Sequence, residues 1–465
     1  MSSSGPFRVV EHTVPCQHIR EYPHATADSQ EATLHLAVKQ YIPLDNPDPK
    51  PGDVTIIGAH ANGFPKELYE PLWEEIHARS KRNGFRIRSI WMADVAHQGQ
   101  SGVLNENLLG NDPSWFDHAR DLLHLINLKR DEMPRPIVGL GHSMGGAQLV
   151  TLSLMHPRLF HTLVLLDPVI QRQSTQIRPP RSFHTAGRNI PTTTQLSTYR
   201  RDLWPSREAA AASFQRSPFY RAWDPRVLAR WVQYGLRDLP TALHPLDDAS
   251  AAVVGNGDRP VTLTTTLHQE VFTFSRPNYD GDPARNVPVN RLTHPDLDLD
   301  PGSRTDDDDK EEGGGASASY PFYRPEPARI FSQLPHLRPS VLYIFAGKSD
   351  MCSPEMRADK LRHTGTGVGG SGGVAAGRVR DVFLEDFGHL LAQEAVDECA
   401  DAAGEWFGEE LRRWSEEERE LDRLTGWRGK SQVEKVTVDE EWRRRIPPPV
   451  RAGREDGHGH DKAKL

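Results

Sequence analysis

Short apolar runs alternate with stretches of helical spacing along the first 170 residues. Thr33 to Tyr41 alternates apolar and polar side chains as a half-exposed strand does, Val54 to Gly58 is a short buried strand, and a third strand follows at Ile87 to Met92. Between them Glu67 to Arg79 carries helical periodicity. Trp115 to Leu128 repeats apolar residues at three- and four-residue spacing behind Asp112 and Ser114, both suited to cap a helix. Pro136 to Leu140 reads as the end of a buried strand, Gly146 to Met155 as the opening of an apolar helix, and Thr162 to Leu166 as another buried strand. Strands that alternate with helices predict an α/β fold, a mostly parallel central sheet flanked by helices. Right-handed crossovers then set the strand C-termini along one edge, where ligands bind.

The rhythm breaks near Gln171, where Arg, Pro and Thr dominate to Thr198, and helical spacing returns over Ser206 to Gln215 and Asp224 to Leu236. This predicts residues 1–170 as the first part of a core, 171–330 as an inserted, mainly helical cap or lid, and 331–412 as the second part of the core. Phe214, Phe219, Tyr220, Trp223, Trp231 and Tyr234 either hold that cap together or line an apolar pocket. The run Asp306 to Glu312, with its Gly-rich sequel, predicts a disordered acidic loop near 302–319. The sheet resumes at Val341 to Gly347 and at Val382 to Leu384. Between these, Gly365 to Gly373 has glycines spaced as in a phosphate cradle, but it does not open a helix after a strand and reads as a mobile loop. Past Ala395 the chain becomes charged helix, and 413–465 is predicted as a charged helical extension with a flexible tail.

Composition narrows the function classes. With 465 residues the chain exceeds one compact core, and 56 basic against 64 acidic side chains leave no basic field for nucleic acid or anionic membrane. Cys16, Cys352 and Cys399 are too scattered for a disulfide framework or thiolate metal site, and no metal or cofactor is expected. No apolar run reaches the roughly 18 residues of a membrane-spanning helix, and no secretory signal is present, so the chain is expected to be soluble and made in the cytosol. The ending Ala463-Lys464-Leu465 is similar to the Ser-Lys-Leu peroxisomal address, which implies a peroxisomal import receptor as a partner and the peroxisome matrix as the location. The preceding polar, Gly-rich stretch, His458 and His460 included, reads as a flexible linker.

The chemistry is concentrated in Gly141-His142-Ser143-Met144-Gly145, a serine between two glycines where strand meets helix. This is the pattern of a nucleophile elbow, whose sharp turn demands small residues two positions either side of the serine. The N–H of Met144 then faces the attacked carbonyl as one oxyanion donor. A serine nucleophile needs a base and an acid that orients the base, following in the order Ser, Asp or Glu, His. His389 lies after the last strand in Phe387-Gly388-His389. Two acids stand at strand ends: Asp350 in Gly347-Lys348-Ser349-Asp350, and Asp167 in Leu165-Leu166-Asp167-Pro168. The loop His60-Ala61-Asn62-Gly63-Phe64 follows an early strand, and its Asn62 N–H, or alternatively that of Ala61, is the candidate second donor. Asp94 to Ser101 reads as a structural turn.

Together these loops resemble the α/β-hydrolase superfamily from about residue 33 to 412. His60 to Pro71, Gly141 to Gly146 and the Ala-Lys-Leu ending look like fungal peroxisomal abhydrolases, including toxin-biosynthesis hydrolases and peroxisomal lipase-like members. The resemblance implies carboxylic ester or acyl hydrolysis without a cofactor. It favours Asp350 over Asp167 as the acid, because the Gly-x-x-Asp context recurs there, and it argues against epoxide hydrolase or dehalogenase chemistry, in which an aspartate stands where this chain has Ser143. The sequence thus predicts a serine esterase of lipase type acting on a small apolar acyl ester, with an acyl-CoA thioester as the alternative substrate. A non-catalytic binding scaffold is the reading of another class.

Overall fold

The computed structural model describes residues 2–172, 175–177, 193–245, 259–279, 290–297, 322–446 and 448–449. It divides into two units, Met1–Arg412 and Arg413–Leu465. The acidic run at 306–312 and the terminal Ala463, Lys464 and Leu465 lie outside the described residues, as does most of 173–192.

The first unit is built on a nine-stranded sheet: β1 (Ser2–Ser4), β2 (Phe7–Pro15), β3 (His35–Pro43), β4 (Val54–Ala59), β5 (Ile87–Ala93), β6 (Ile137–His142), β7 (Thr162–Leu166), β8 (Ser340–Ala346) and β9 (Val379–Leu384). The spatial order is β1-β2-β3-β5-β4-β6-β7-β8-β9. The first three strands and the β3–β5 pair run antiparallel, and the six from β5 to β9 are parallel. Apolar side chains leave both faces of the parallel strands. On one face Ile56, Leu140, Leu166 and Ile344 pack against Trp73 and Ile76 of the helix Glu70–Ser80, and against Cys399, Trp406 and Phe407. On the other, Ile57, Leu165 and Phe345 meet Leu122 and Leu125 of the helix Trp115–Leu128 and Leu149 of the helix Met144–Met155. Burial on both faces explains why these strands read as unbroken apolar runs. From β4 the chain passes first to β5 on one side and then to β6 on the other. The crevice at this reversal of strand order opens at the carboxyl ends of β4 and β6, which is where the His60 loop and the Ser143 turn emerge.

Two sheet expectations change. β3 is buried along nearly its whole length instead of half-exposed, because it is an interior strand between β2 and β5. Its polar residues are satisfied inside: Lys39 Nζ lies 3.2 Å from Glu67 and 3.3 Å from Glu70, and His12 Nε2 is 3.0 Å from Gln40 Oε1. β2, unassigned from sequence, pairs with β3 over its full length. Ser114, not Asp112, caps Trp115–Leu128, its hydroxyl accepting from Phe116 N–H.

Between β7 and β8 the helices Arg207–Arg216 and Pro225–Tyr234 begin at their capping residues Ser206 and Asp224, and Thr193–Tyr199 and Leu267–Phe274 join them. This segment also holds two three-stranded sheets of two- and three-residue strands, too short to show a period in sequence, and Leu236 starts one of these rather than ending a helix. Phe214, Tyr220, Trp223 and Trp231 pack ring against ring within it, with centroids 4.6–6.1 Å apart, and Phe219 is exposed. The aromatic set therefore knits the segment together. Gly365 to Gly373 is a laced turn: Gly365, Gly367 and Ser371 donate N–H groups to the carbonyls of Leu334, Pro335 and Leu337. No described helix is long and apolar enough to cross a membrane.

The second unit holds the distal part of the helix Val396–Thr425 and the short helices Gln432–Val436 and Glu440–Arg445. The first of these short helices starts at a reciprocal cap between Ser431 and Glu434.

Candidate active site

Ser143 stands between the last residue of β6 and the first of the helix Met144–Met155, with φ 55° and ψ −116°. A non-glycine residue held there carries on the order of 1–3 kcal/mol of backbone strain, which persists only if its surroundings fix it. They do: Ser143 N–H donates to Leu166 O at 2.9 Å, and its carbonyl accepts from Val169 N–H at 3.2 Å. The turn is closed by contacts that exclude side chains. A Cβ on Gly145 would sit 2.2 Å from Ala59 O, so the helix can press against the end of β4 only because residue 145 is glycine, and one on Gly141 would sit 2.7 Å from the Gly146 backbone and hold the turn open.

His389 comes from the loop after β9 and brings its imidazole over the serine, with Nε2 2.8 Å from Ser143 Oγ. Its Nδ1 lies 2.6 Å from Asp167 Oδ2. A carboxylate only accepts, so Nδ1 carries the hydrogen, and Nε2 offers its lone pair to the serine hydroxyl. Asp167 directly follows β7, the strand next to β6, and is 1% exposed. Its φ of 38° is a second strained position, secured by an N–H bond of 2.8 Å to Ile344 O.

Of the two candidate acids, the structure brings the alternative, Asp167, to the imidazole and not the preferred Asp350. Asp350 lies four residues beyond the end of β8, is exposed, and makes no hydrogen bond to His389; its neighbour Ser349 instead brings Oγ to 3.4 Å from Nδ1. Asp167, the alternative from sequence, occupies the place beside the imidazole because it leaves its strand with no intervening turn.

The His60 loop is fixed by its backbone. Ala61 N–H donates to the Tyr69 hydroxyl at 2.8 Å and Gly63 N–H to Gln98 Oε1 at 2.8 Å. Ala61 is therefore already engaged, and Asn62 keeps the N–H without an acceptor among the described residues. Met144 N–H is the first of its helix, and no helical carbonyl precedes it. His60 settles the loop's start, with Nδ1 2.8 Å from Ala61 O and Nε2 accepting Val95 N–H at 2.9 Å. Burial pushes its pKa down. The Asp94 turn clamps the loop's far end: Asp94 accepts from Lys66 N–H at 2.8 Å and lies 2.7 Å from Lys66 Nζ.

A family model described as alpha/beta hydrolase family matches residues 56–288. The chain is an α/β-hydrolase. It is 41% identical, over the full length of both chains, to a protein named type I acyl-CoA thioesterase mpaH′ from Penicillium brevicompactum, and 40% identical to a thioesterase of the same type from Penicillium roqueforti, again over both full lengths. An abhydrolase domain-containing protein of Alternaria alternata, ACTT2-1, is 27% identical over 59% of this chain and 84% of its own. Among solved structures, the peroxisomal α/β-hydrolase Lpx1 of Saccharomyces cerevisiae superposes with a TM-score of 0.61 at 16% identity, covering 94% of this chain and all of that one, a likeness of fold.

Three residues of this α/β-hydrolase site lie within the stretches 60–71, 94–101 and 141–146, yet sequence alone gives them no role of their own. Tyr69 and His142 are linked through a hydrogen bond of 2.9 Å, and Gln98 bridges Gly63 N–H to Asn62 Oδ1, the latter at 2.6 Å. His142 sits inside the elbow pattern, where the spacing rule tests only its neighbours. No group of His, Cys, Asp or Glu suited to hold a metal ion occurs among the described residues.

Proposed function

We propose that this hydrolase cleaves an acyl thioester of the acyl-CoA class through an acyl-enzyme on Ser143. The observation that carries the reaction type is the unbroken hydrogen-bond chain Ser143–His389–Asp167 at the crevice of the sheet. Full-length identity to proteins named acyl-CoA thioesterases supports the substrate class over the simple carboxylic ester that sequence alone favoured.

In this reading Ser143 Oγ adds to the carbonyl carbon as its proton passes to His389 Nε2, and Asp167 stabilises the resulting imidazolium. The oxyanion accepts from the Met144 and Asn62 N–H groups. The C–S bond then breaks, and the thiol leaves with the proton from His389. A water that gives its proton to the same nitrogen releases the carboxylic acid and regenerates the serine.

The test is turnover of paired thioesters and oxygen esters across a range of acyl lengths, with Ser143→Ala beside the wild type. Thioester hydrolysis lost by about 10⁶-fold in the variant is the expected result. Turnover of oxygen esters alone returns the assignment to an esterase. A wild type that neither turns over acyl substrates nor takes a fluorophosphonate on Ser143 is a binding scaffold and refutes the proposal. The Ala463-Lys464-Leu465 ending supports the peroxisome matrix as the site of action. Deleting Leu465 is expected to leave a fluorescent fusion in the cytosol, and continued peroxisomal residence would refute that location.

A further inference from the structure

Tyr69 ends the short helical turn Lys66–Tyr69 and is fully buried, stacked beside Trp73 at 6.3 Å between ring centroids. Its hydroxyl makes two contacts that packing does not require. The oxygen accepts Ala61 N–H at 2.8 Å, and the same group lies 2.9 Å from His142 Nδ1. His142, also fully buried, is bonded in the chain to Ser143 and reaches with Nε2 to 2.9 Å from the backbone carbonyl of His389. Burial, then the neighbouring His389, push the His142 pKa down to about 3, so this imidazole is neutral at working pH.

The direction of every bond follows. A carbonyl only accepts, so His142 Nε2 carries the hydrogen and Nδ1 presents a lone pair. Tyr69 O–H must then donate to Nδ1, while its oxygen keeps a lone pair for Ala61 N–H. The result is a one-way chain from the His60 loop, through the residue beside the nucleophile, to the backbone that carries the base. Neither Tyr69 nor His142 bonds to the Ser143 hydroxyl. Their contact is with the parts that must be held around it.

We propose that Tyr69 and His142 are positioning residues that fix the oxyanion loop and the His389 backbone relative to Ser143. Tyr69 occupies the Ala61 N–H, which leaves the N–H of Asn62 as the donor this loop presents, and His142 holds the base through the His389 carbonyl. The proposal rests on the serine-hydrolase reading. A ring at position 69 that merely fills space predicts a different outcome, since phenylalanine keeps the stack on Trp73 and removes only the hydroxyl.

In Tyr69→Phe, Ala61 N–H and His142 Nδ1 lose their partner in a buried setting, and the loop is freed to shift. Removing one oxyanion donor outright costs about 10²–10³ in kcat, so a displaced donor is expected to lower kcat by roughly 10- to 100-fold, with KM within about twofold. The rate of phosphonylation by a fluorophosphonate should fall by the same factor. Histidine ¹⁵N spectra of the full-length protein supply a readout independent of turnover, with the His142 signals assigned by their loss in His142→Gln. They should show a protonated Nε2 and an unprotonated Nδ1 that do not titrate between pH 8 and pH 5, and the Nδ1 resonance should move in Tyr69→Phe. A Tyr69→Phe protein with normal kcat and a lowered melting temperature overturns the proposal in favour of packing, as does a His142 that carries its hydrogen on Nδ1. A wild type with the stated tautomer that takes no fluorophosphonate removes the hydrolase reading and the catalytic consequence with it. A labelled wild type with an unaffected variant removes the relay alone.

Discussion

Replacing Asp167 by asparagine is the sharpest way to test the arrangement around His389. Asn tolerates the left-handed backbone region nearly as well as Asp, so at φ 38° the substitution removes charge without adding backbone strain. The carboxylate is 1% exposed and 2.6 Å from Nδ1. An amide that offers its NH₂ group to Nδ1 moves the imidazole hydrogen to Nε2, which then cannot take the proton of Ser143 Oγ. The same change in a serine protease costs about 10⁴ in kcat, and at 1.36 kcal/mol per factor of ten that is about 5 kcal/mol of transition-state stabilisation. Asp350→Asn, at an exposed position without a bond to the imidazole, is expected to stay within about twofold, under about 0.5 kcal/mol. The assay is thioester hydrolysis followed by thiol release at neutral pH, with the fluorophosphonate labelling rate measured on the same preparations. A larger loss from Asp350→Asn than from Asp167→Asn would refute the assignment.

Gly145→Ala should be poorly tolerated, because its Cβ would lie 2.2 Å from Ala59 O and 2.8 Å from His60 O, both backbone atoms; a loss of about 1–3 kcal/mol, read as a lowered melting temperature, should accompany loss of activity. Stability should fall on mild acidification. His97 and His142 are held neutral by burial, with pKa values pushed down to about 3, so the stability this confers is complete above the unfolded value of about 6.5 and is lost as pH falls toward 3. At pH 5 each contributes a loss of about 2 kcal/mol, and His97→Gln should reduce the slope of melting temperature against pH between 6.5 and 5; an unchanged slope would contradict this account.

The parts of the fold that sequence reveals are those whose signal is local. β4, β6, β7 and β8 are apolar because both faces are covered, and the Ser143 turn is legible because steric demand on Gly141 and Gly145 is written within five residues. β3 misleads because alternation marks one wet face only when nothing covers it, and Lys39 and Gln40 find partners in Glu67, Glu70 and His12 that lie far along the chain. The acid is ambiguous for a related reason. Asp167 and Asp350 both follow apolar strands, and what separates them is that β7 adjoins β6 while Asp350 is carried four residues past its strand to the surface. The order of strands in space decides which of them lies beside His389, and that order is absent from any window of sequence. The contacts of Tyr69 and Gln98, though both lie within stretches read from sequence, are illegible for the same cause, since their partners lie 8 to 73 residues away.

The site divides into a part held by the sheet and a part held by the inserted segment. Ser143 and Asp167 are anchored by backbone bonds to β7 and β8, and their strained conformations require that anchorage. The His60 loop looks the other way. Asn62 Nδ2 donates to Glu270 O at 3.0 Å, Gln98 Nε2 reaches Thr273 Oγ1 at 3.0 Å, and the Phe64 ring meets Trp223 and Trp231 at 5.6 and 6.0 Å. All of these partners belong to the segment between β7 and β8. Glu270 is itself tied into that segment through Ser197 Oγ at 2.6 Å and an ion pair with Arg200. In the proposed mechanism a change in that segment therefore reaches the chemistry through the Asn62 loop before it reaches Ser143, His389 and Asp167. If the proposed acyl transfer holds, substitutions at Trp223 or Glu270 should accordingly lower kcat through the Asn62 donor while leaving the Ser143–His389 hydrogen bond in place.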